Sequence, residues 1–340
     1  MKTNVYITVD TESSMGGAWQ NCELRPVPAD RRIFCRINGR DHGIGWICDE
    51  LDRFGYCATF FCEVLSSLAL GERDSREYVE YLLGRGQDVQ LHAHPNFLFY
   101  ARYLRQRESG RRYDHSERSD CLAALPIEVQ REVLGAASDV FLRLAGRRAM
   151  AYRAGGYGAS SATLGALAEM GVRIDSSFNP RYQSEGSFRG ETLHANAAQR
   201  VSGVWEIPVT VARQRMPRPG YRPCEVNALS AGEMAKLLAH AHQAGMGHVV
   251  VVFHSFSGVK ARDAQYTALR PDRVARGRFR ALLAHLAKHR DRFEVTTFGD
   301  LAGRLDELRE EAAPPVLDFG LAGPLLRTAV QAINRPYWTL

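Results

Sequence analysis

YCATFFCEVLSSLALGERDSREYVEYLLGRGQDVQLHAH, residues 56–94, is the stretch from which the fold follows. Its first six residues, YCATFF (56–61), form a continuously apolar run, as a strand covered on both faces requires. SREYVEYLLGRG (75–86) has helical spacing and stops at glycine. DVQLHAH (88–94) returns to alternation and reads as a strand. Strand, helix and strand in so short a span make a β/α unit.

The same grammar extends in both directions. Upstream, VYITV (5–9) is an alternating β-branched strand and GWICDELDRFG (45–55) a helix. Downstream, residues 97–124 are polar, rich in arginine and aperiodic, which predicts a surface insertion. The alternation then resumes. Helices are expected in PIEVQREVLGAASDVFLRLAG (126–146) and SATLGALAEMG (161–171), with strand ends in AMAYRAGG (149–156) and GVRIDSSF (171–178). VWEIPVTV (204–211) reads as one strand. The helix of residues 229–247 opens on a capping box, Ser230 followed three residues later by Glu233. HVVVVFH (248–254), the helix RFRALLAHLAKH and the strand RFEVTTF (292–298) complete the series. About seven strands alternating with helices predict a single α/β barrel over residues 1–305, with long insertions near 12–44 and 97–124. Residues 306–340 form a C-terminal extension, with a helix in FGLAGPLLRTAVQAI expected to pack on the outside.

Composition narrows the class. The chain has 340 residues, 45% of them hydrophobic and 24% charged, ample for a large core. No run of 18 apolar residues occurs, so no membrane span is expected. The formal charge of +6 comes from 44 basic residues, of which only four are lysine. They form no zinc finger or aromatic-interleaved basic stripe, so no nucleic-acid partner is expected. Seven cysteines, Cys22, Cys35, Cys48, Cys57, Cys62, Cys121 and Cys224, include no CxxC pair. They are expected as reduced thiols in a cytoplasmic protein, since the N-terminus also lacks a secretory h-region.

Chemically capable side chains recur where strands end. Asp10 and Glu12 close the first strand, His92 and His94 the third, Arg153 ends AMAYR, Asp175 ends VRID and His254 ends VVVVFH. Singly, each reads as a cap, a turn or a backbone partner. Together, at one end of successive β/α units, they read as a site. Residues two apart on a strand point the same way, so His92 with His94, and Asp10 with Glu12, can each face one metal ion. Two imidazoles, one carboxylate and an open position form a hydrolytic metal arrangement. The remaining carboxylate and histidine are then available as base and acid.

These residues resemble the motifs of the polysaccharide deacetylase superfamily, the NodB-homology group, over about residues 3–300. TVDTE resembles its first motif, HAHP its second, RAGGYG its third, DSSF its fourth and FHSFS its last. WEIPV and RFEVTTFGDLAGRL resemble the elements that follow the fourth and close the fold. The resemblance implies a distorted (β/α)7 barrel and a metal-dependent deacetylase. It makes Asp10 the general base, Arg153 its ion-pair partner, Asp175 a supporting residue and His254 the general acid. Glu12, His92 and His94 become ligands of a divalent metal, for which Zn2+ suits the donor set best. The usual second motif has its histidines four apart, and position 96 is Asn96, so either His94 or Asn96 faces the metal. The usual adjacent aspartates are absent, so Asp10 and Glu12 can exchange roles. Trp19, Asn96, Phe97 and Tyr157 are candidate substrate contacts, with Trp19 and Tyr157 equally open to a packing role. His115 and His194 are expected to face solvent.

The reaction expected is removal of an acyl group, acetyl in the first instance, from the nitrogen of an amino sugar or glycan precursor. The alternatives are cleavage of another non-peptide C–N bond (ureide, formamide or acylpolyamine), which a carboxylate-binding arginine in the loops would favour, and a non-catalytic carbohydrate-binding barrel. The partner is a small-molecule or glycan-precursor substrate. Oligomeric state is not legible in the sequence.

Overall fold

The computed structural model describes residues 2–109 and 119–337; His115 and the centre of the predicted 97–124 insertion lie outside them. Thirteen strands are present among these residues. They are β1 (Thr3–Thr11), β2 (Thr59–Glu63), β3 (Asp88–Ala93), β4 (Ala151–Ala154), β5 (Ile174–Asp175), β6 (Gln199–Val201), β7 (Val204–Glu206), β8 (Val211–Gln214), β9 (Gly220–Pro223), β10 (His248–His254), β11 (Val259–Ala261), β12 (Leu269–Pro271) and β13 (Phe293–Thr296). Seven form a curled parallel sheet in the order β10-β1-β2-β3-β4-β5-β7, and β6 adds an antiparallel edge to β7. One edge of β1 pairs with β10 through residues 4–10; the other is shared, with β13 along residues 3–6 and β2 along residues 8–11.

Among the described residues, no further strand closes the ring between β7 and β10. Irregular backbone does so instead: Thr210 N–H donates to Val250 O at 3.3 Å, Val252 N–H to Cys224 O at 2.9 Å and Val226 N–H to Val252 O at 3.1 Å. The architecture is therefore a distorted, incomplete (β/α) barrel of the NodB type.

Period-2 alternation decides what enters the barrel. On β1, Val5, Ile7 and Val9 pack outward against the helices, whereas Tyr6 belongs to the inner cluster with Phe61, Val250 and Val252. Thr8 and Asp10 continue the inward face. On β3, Val89, Leu91 and Ala93 join the outer core, which leaves Gln90 and His92 facing in. The mostly apolar outer face is covered by the helices Ile44–Asp52, Glu72–Gly84, Ile127–Ala145, Ala231–Gln243 and Arg273–Lys288.

Two expectations differ from the structure. VWEIPVTV is not one strand but ends as β7 at Glu206 and resumes as β8 at Val211. Pro208 lies in the gap and has no N–H to give a ladder. Residues 97–109 are not an aperiodic surface segment but most of the helix Pro95–Glu108, with Pro95 in its first turn and Phe97, Leu98, Phe99, Tyr100 and Ala101 buried. That apolar cluster fills one end of the helix, so arginines dominate its exposed remainder and mask the period.

The C-terminal segment packs on the barrel. Glu311 accepts from Ala198 N–H and Gly247 N–H, each at 3.0 Å. The helix Ala322–Asn334 is held by Arg327, buried against Glu233 at 2.7 Å. No helix among the described residues is long and apolar enough to cross a membrane.

Candidate metal centre and catalytic cleft

All the strand-end residues singled out in the sequence lie at the C-terminal ends of the parallel strands. Asp10 and Arg153 meet inside the barrel, with Arg153 Nη1 2.7 Å from Asp10 Oδ1. Arg153 is fully buried and spends every nitrogen: Nη1 also donates to Thr8 Oγ1 (2.8 Å), Nε to Ser176 O (3.0 Å) and Nη2 to Ser176 Oγ (3.1 Å). Its guanidinium lies over the Phe61 ring, 4.4 Å from the centroid. A buried charge needs such compensation.

Glu12 follows β1 and points between the two histidines. His94 Nε2 is 2.8 Å from Glu12 Oε2, and His92 Nε2 is 3.3 Å from the same oxygen. One atom from each of the three residues lies within 4.8 Å of the others, a cluster able to hold a divalent metal ion. The opposite ring nitrogens are engaged by acceptors: His92 Nδ1 donates to Arg153 O at 2.7 Å and His94 Nδ1 to Asp120 Oδ2 at 2.9 Å. Acceptors at Nδ1 leave Nε2 as the lone-pair nitrogen in each neutral ring, the state in which imidazole binds a metal. The donor set and its supports therefore fit a transition metal. Burial pushes the Glu12 carboxyl up, but His94, His92 and His254 together draw it well below the usual carboxylate range. Burial works against a charge on His94, and Asp120 and Glu12 outweigh it, raising its pKa well above the ordinary value.

The residues at positions 94 and 96 lie in different surroundings. His94 joins the cluster, whereas Asn96 lines the adjoining cavity and its N–H reaches Asp120 Oδ1 at 3.4 Å. Asp10 and Glu12 likewise take different partners, Arg153 and the two imidazoles. Gly155 explains the small residues of RAGGYG. A Cβ there would stand 2.5 Å from His94 Nδ1.

His254 ends β10, with Nε2 3.9 Å from Asp10 Oδ2 and Nδ1 3.9 Å from Glu225 Oε1. Burial raises the Glu225 carboxyl while His254 lowers it. Asp175 does not reach the cleft. It is fully buried, accepts from Ser177 N–H (2.9 Å) and Ser177 Oγ (2.8 Å), and Ser177 Oγ in turn accepts from Ala154 N–H (2.8 Å). These bonds tie it to the turn that follows Arg153.

Of the four candidate substrate contacts, Asn96 and Phe97 line a polar cavity of about 260 Å³ with Glu12, Arg32, His94 and Asp120. Trp19 packs edge-on to Tyr100, with ring centroids 5.2 Å apart. Tyr157 has φ of 62°, a left-handed backbone, and stacks on Tyr182 at 5.4 Å. Asp120, Glu225 and Arg32 were not singled out in the sequence. Asp120 and Glu225 come from loops and Arg32 from a single-turn helix, where no periodicity marks a residue that faces the site.

The chain thus combines a NodB-type barrel with a rim cluster able to hold a divalent metal ion. Among solved structures, a putative polysaccharide deacetylase from Mycobacterium smegmatis is similar in fold, with a TM-score of 0.54 and 18% identity over 93% of this chain and 96% of that one. Looser matches are a family 4 carbohydrate esterase from Streptomyces lividans in complex with acetate (TM-score 0.43, 10% identity, 92% and 98% covered) and the peptidoglycan deacetylase PdaC from Bacillus subtilis (0.37, 12%, 90% and 94%). No protein-family model matches the chain, and no curated protein does. At such identities the likeness is one of fold.

Proposed function

We propose that the protein is a metal-dependent amide hydrolase that removes an acyl group, acetyl in the simplest case, from the nitrogen of an amino sugar or glycan precursor. One observation carries the reading: His92 and His94 direct Nε2 at one oxygen of Glu12 while both Nδ1 atoms are engaged by acceptors. Glu12, His92 and His94 would hold the metal, and Zn2+ suits two imidazoles and a carboxylate. A bound divalent ion supplies polarisation of the amide carbonyl and a water of lowered pKa.

The chain's own groups do the rest. Asp10, ion-paired with Arg153, takes the proton of the attacking water. His254 delivers a proton to the departing nitrogen, which would otherwise leave as a poor amide anion. Glu225 faces the far nitrogen of His254 and keeps that ring oriented. Asp175, through Ser177, positions the turn that carries Arg153. Asn96 and Phe97 border the space for substrate, and Tyr157 borders the catalytic turn.

We propose a cytoplasmic protein acting on a small-molecule or glycan-precursor substrate, a reading that seven cysteines without a disulfide support. A second reading, cleavage of another non-peptide C–N bond, is favoured by Arg32 lining the cavity. The two are separated by assaying acid and amine release from N-acetylated amino sugars, formamides, ureides and acylpolyamines with the zinc-loaded protein. Turnover of the first class that is lost in Asp10→Asn supports the lead reading; turnover confined to the others replaces it. Binding of sugars without turnover of any class would leave a non-catalytic barrel.

A further inference from the structure

Arg32 is the one cationic side chain that lines the metal-site cavity among the described residues. It ends the short helix Ala29–Arg32 in the long loop after β1 and is folded back over the barrel rim. Its guanidinium lies flat on the Phe256 ring, 3.3 Å from the centroid, and donates through Nη1 to the hydroxyl of Tyr266. Phe256 is two residues beyond His254, so Arg32 is fixed to the strand end that bears the proposed acid.

Its bond to Glu12 is weak. Nη2 stands 3.4 Å from Glu12 Oε1, against about 2.7–2.9 Å for a charge-assisted bond. Nε is buried and makes no hydrogen bond. Arg153, by contrast, spends all three nitrogens on protein acceptors. Arg32 is thus held by a ring face and a hydroxyl, while Nη2 has only the long contact to Glu12 and the buried Nε has no partner.

Charge points the same way. Asp10 and Arg153 neutralise each other. Among the residues that line the cavity itself, Glu12 and Asp120 would be offset by a divalent ion, which leaves Arg32 as the unbalanced formal charge there; Glu225 lies outside this lining, against His254. In a partly desolvated space such a charge calls for an anion. The planar guanidinium fork matches carboxylate and phosphate oxygens, and a neutral N-acetyl sugar makes no use of it.

We propose that Arg32 recognises an anionic group, a carboxylate or a phosphate, carried by the substrate close to the scissile amide. This rests on the hydrolase reading and narrows its substrate class to acylated amines bearing an acid. The competing role, in which Arg32 only orients Glu12, predicts an effect on the metal and none on anions.

The test is calorimetric titration of the zinc-loaded full chain with methylphosphonate, propionate and the neutral propionamide, in the native protein and in Arg32→Gln and Arg32→Lys, with metal content measured on each sample. The expected result is that Arg32→Gln weakens one anion at least about tenfold, leaves propionamide unchanged and keeps its metal. Arg32→Lys should recover part of the loss, because a point charge remains without the fork. The anion that depends on Arg32 more strongly identifies the group, phosphate or carboxylate. Equal anion binding in the native and Gln proteins overturns the proposal with the hydrolase reading intact. Loss of zinc in Arg32→Gln overturns it in favour of the orienting role. A native protein that takes up no metal brings down the hydrolase reading itself, and this proposal with it.

Discussion

His94 is held at both ring nitrogens by carboxylates, Glu12 on one side and Asp120 on the other. Such a support fixes the tautomer and raises the basicity of the nitrogen that faces a metal. Asp120→Ala should therefore weaken zinc binding about 10–100-fold, measured by competition with a chromophoric chelator, while Asp120→Asn, which keeps an acceptor, loses less. Arg153→Met tests the other buried contact. It strands the Asp10 carboxylate without its partner, which costs about 3–5 kcal/mol in chemical denaturation and should abolish hydrolysis. The placement of Asp10, Glu12, His92, His94, Arg153 and His254 at strand ends was legible in the sequence, because strand ends announce themselves. The placement of Asp120, Glu225 and Arg32 near them was not, because two loops and a single-turn helix leave no pattern.

Strand alternation is what turns a list of polar residues into a cleft. A one-residue slip of β1 would send Asp10 outward among the helices and Val9 into the barrel. The paired ends of β5 and β7 carry a second consequence. Asp175 and Glu206 are register neighbours and both fully buried. Burial, and then the charge of Asp175, raises the Glu206 carboxyl well above its ordinary range, so the native pair holds a proton to higher pH than a free carboxyl does. The unfolded chain loses that proton near pH ~4.3. Above this point the native state binds more protons than the unfolded one, so stability falls as pH rises, by about 1.4 kcal/mol per pH unit until the native pair ionises. Glu206→Gln should flatten that slope in urea melts between pH ~5 and ~8. An unchanged slope would mean that Glu206 is ionised in the native barrel. At this scale the sequence was readable wherever a helix carried a clear stripe or cap, as at Ser230 and Glu233, whose capping box is present. It misled at Pro208, where an apolar run continues although the ladder cannot, and at Pro95–Glu108, where the buried residues crowd into one end.

Across the whole molecule, the (β/α) repeat was legible and the closure was not. Backbone near Thr210 and Cys224 closes the ring without strand spacing, and that irregular chain supplies Glu225 to the cleft. The C-terminal helix braces the same side through the buried Arg327–Glu233 pair. Arg327→Ala should cost about 3 kcal/mol and expose residues 312–321 to limited proteolysis, while zinc content stays unchanged, since the helix contributes no residue to the metal cluster. The account turns on that cluster. The measurement that tests it most directly is metal analysis of protein purified without a metal-affinity column, beside the His92→Ala/His94→Ala double variant. The account predicts about one transition-metal ion per chain, lost in the folded double variant. A native protein that is metal-free and refuses added zinc or cobalt would contradict it.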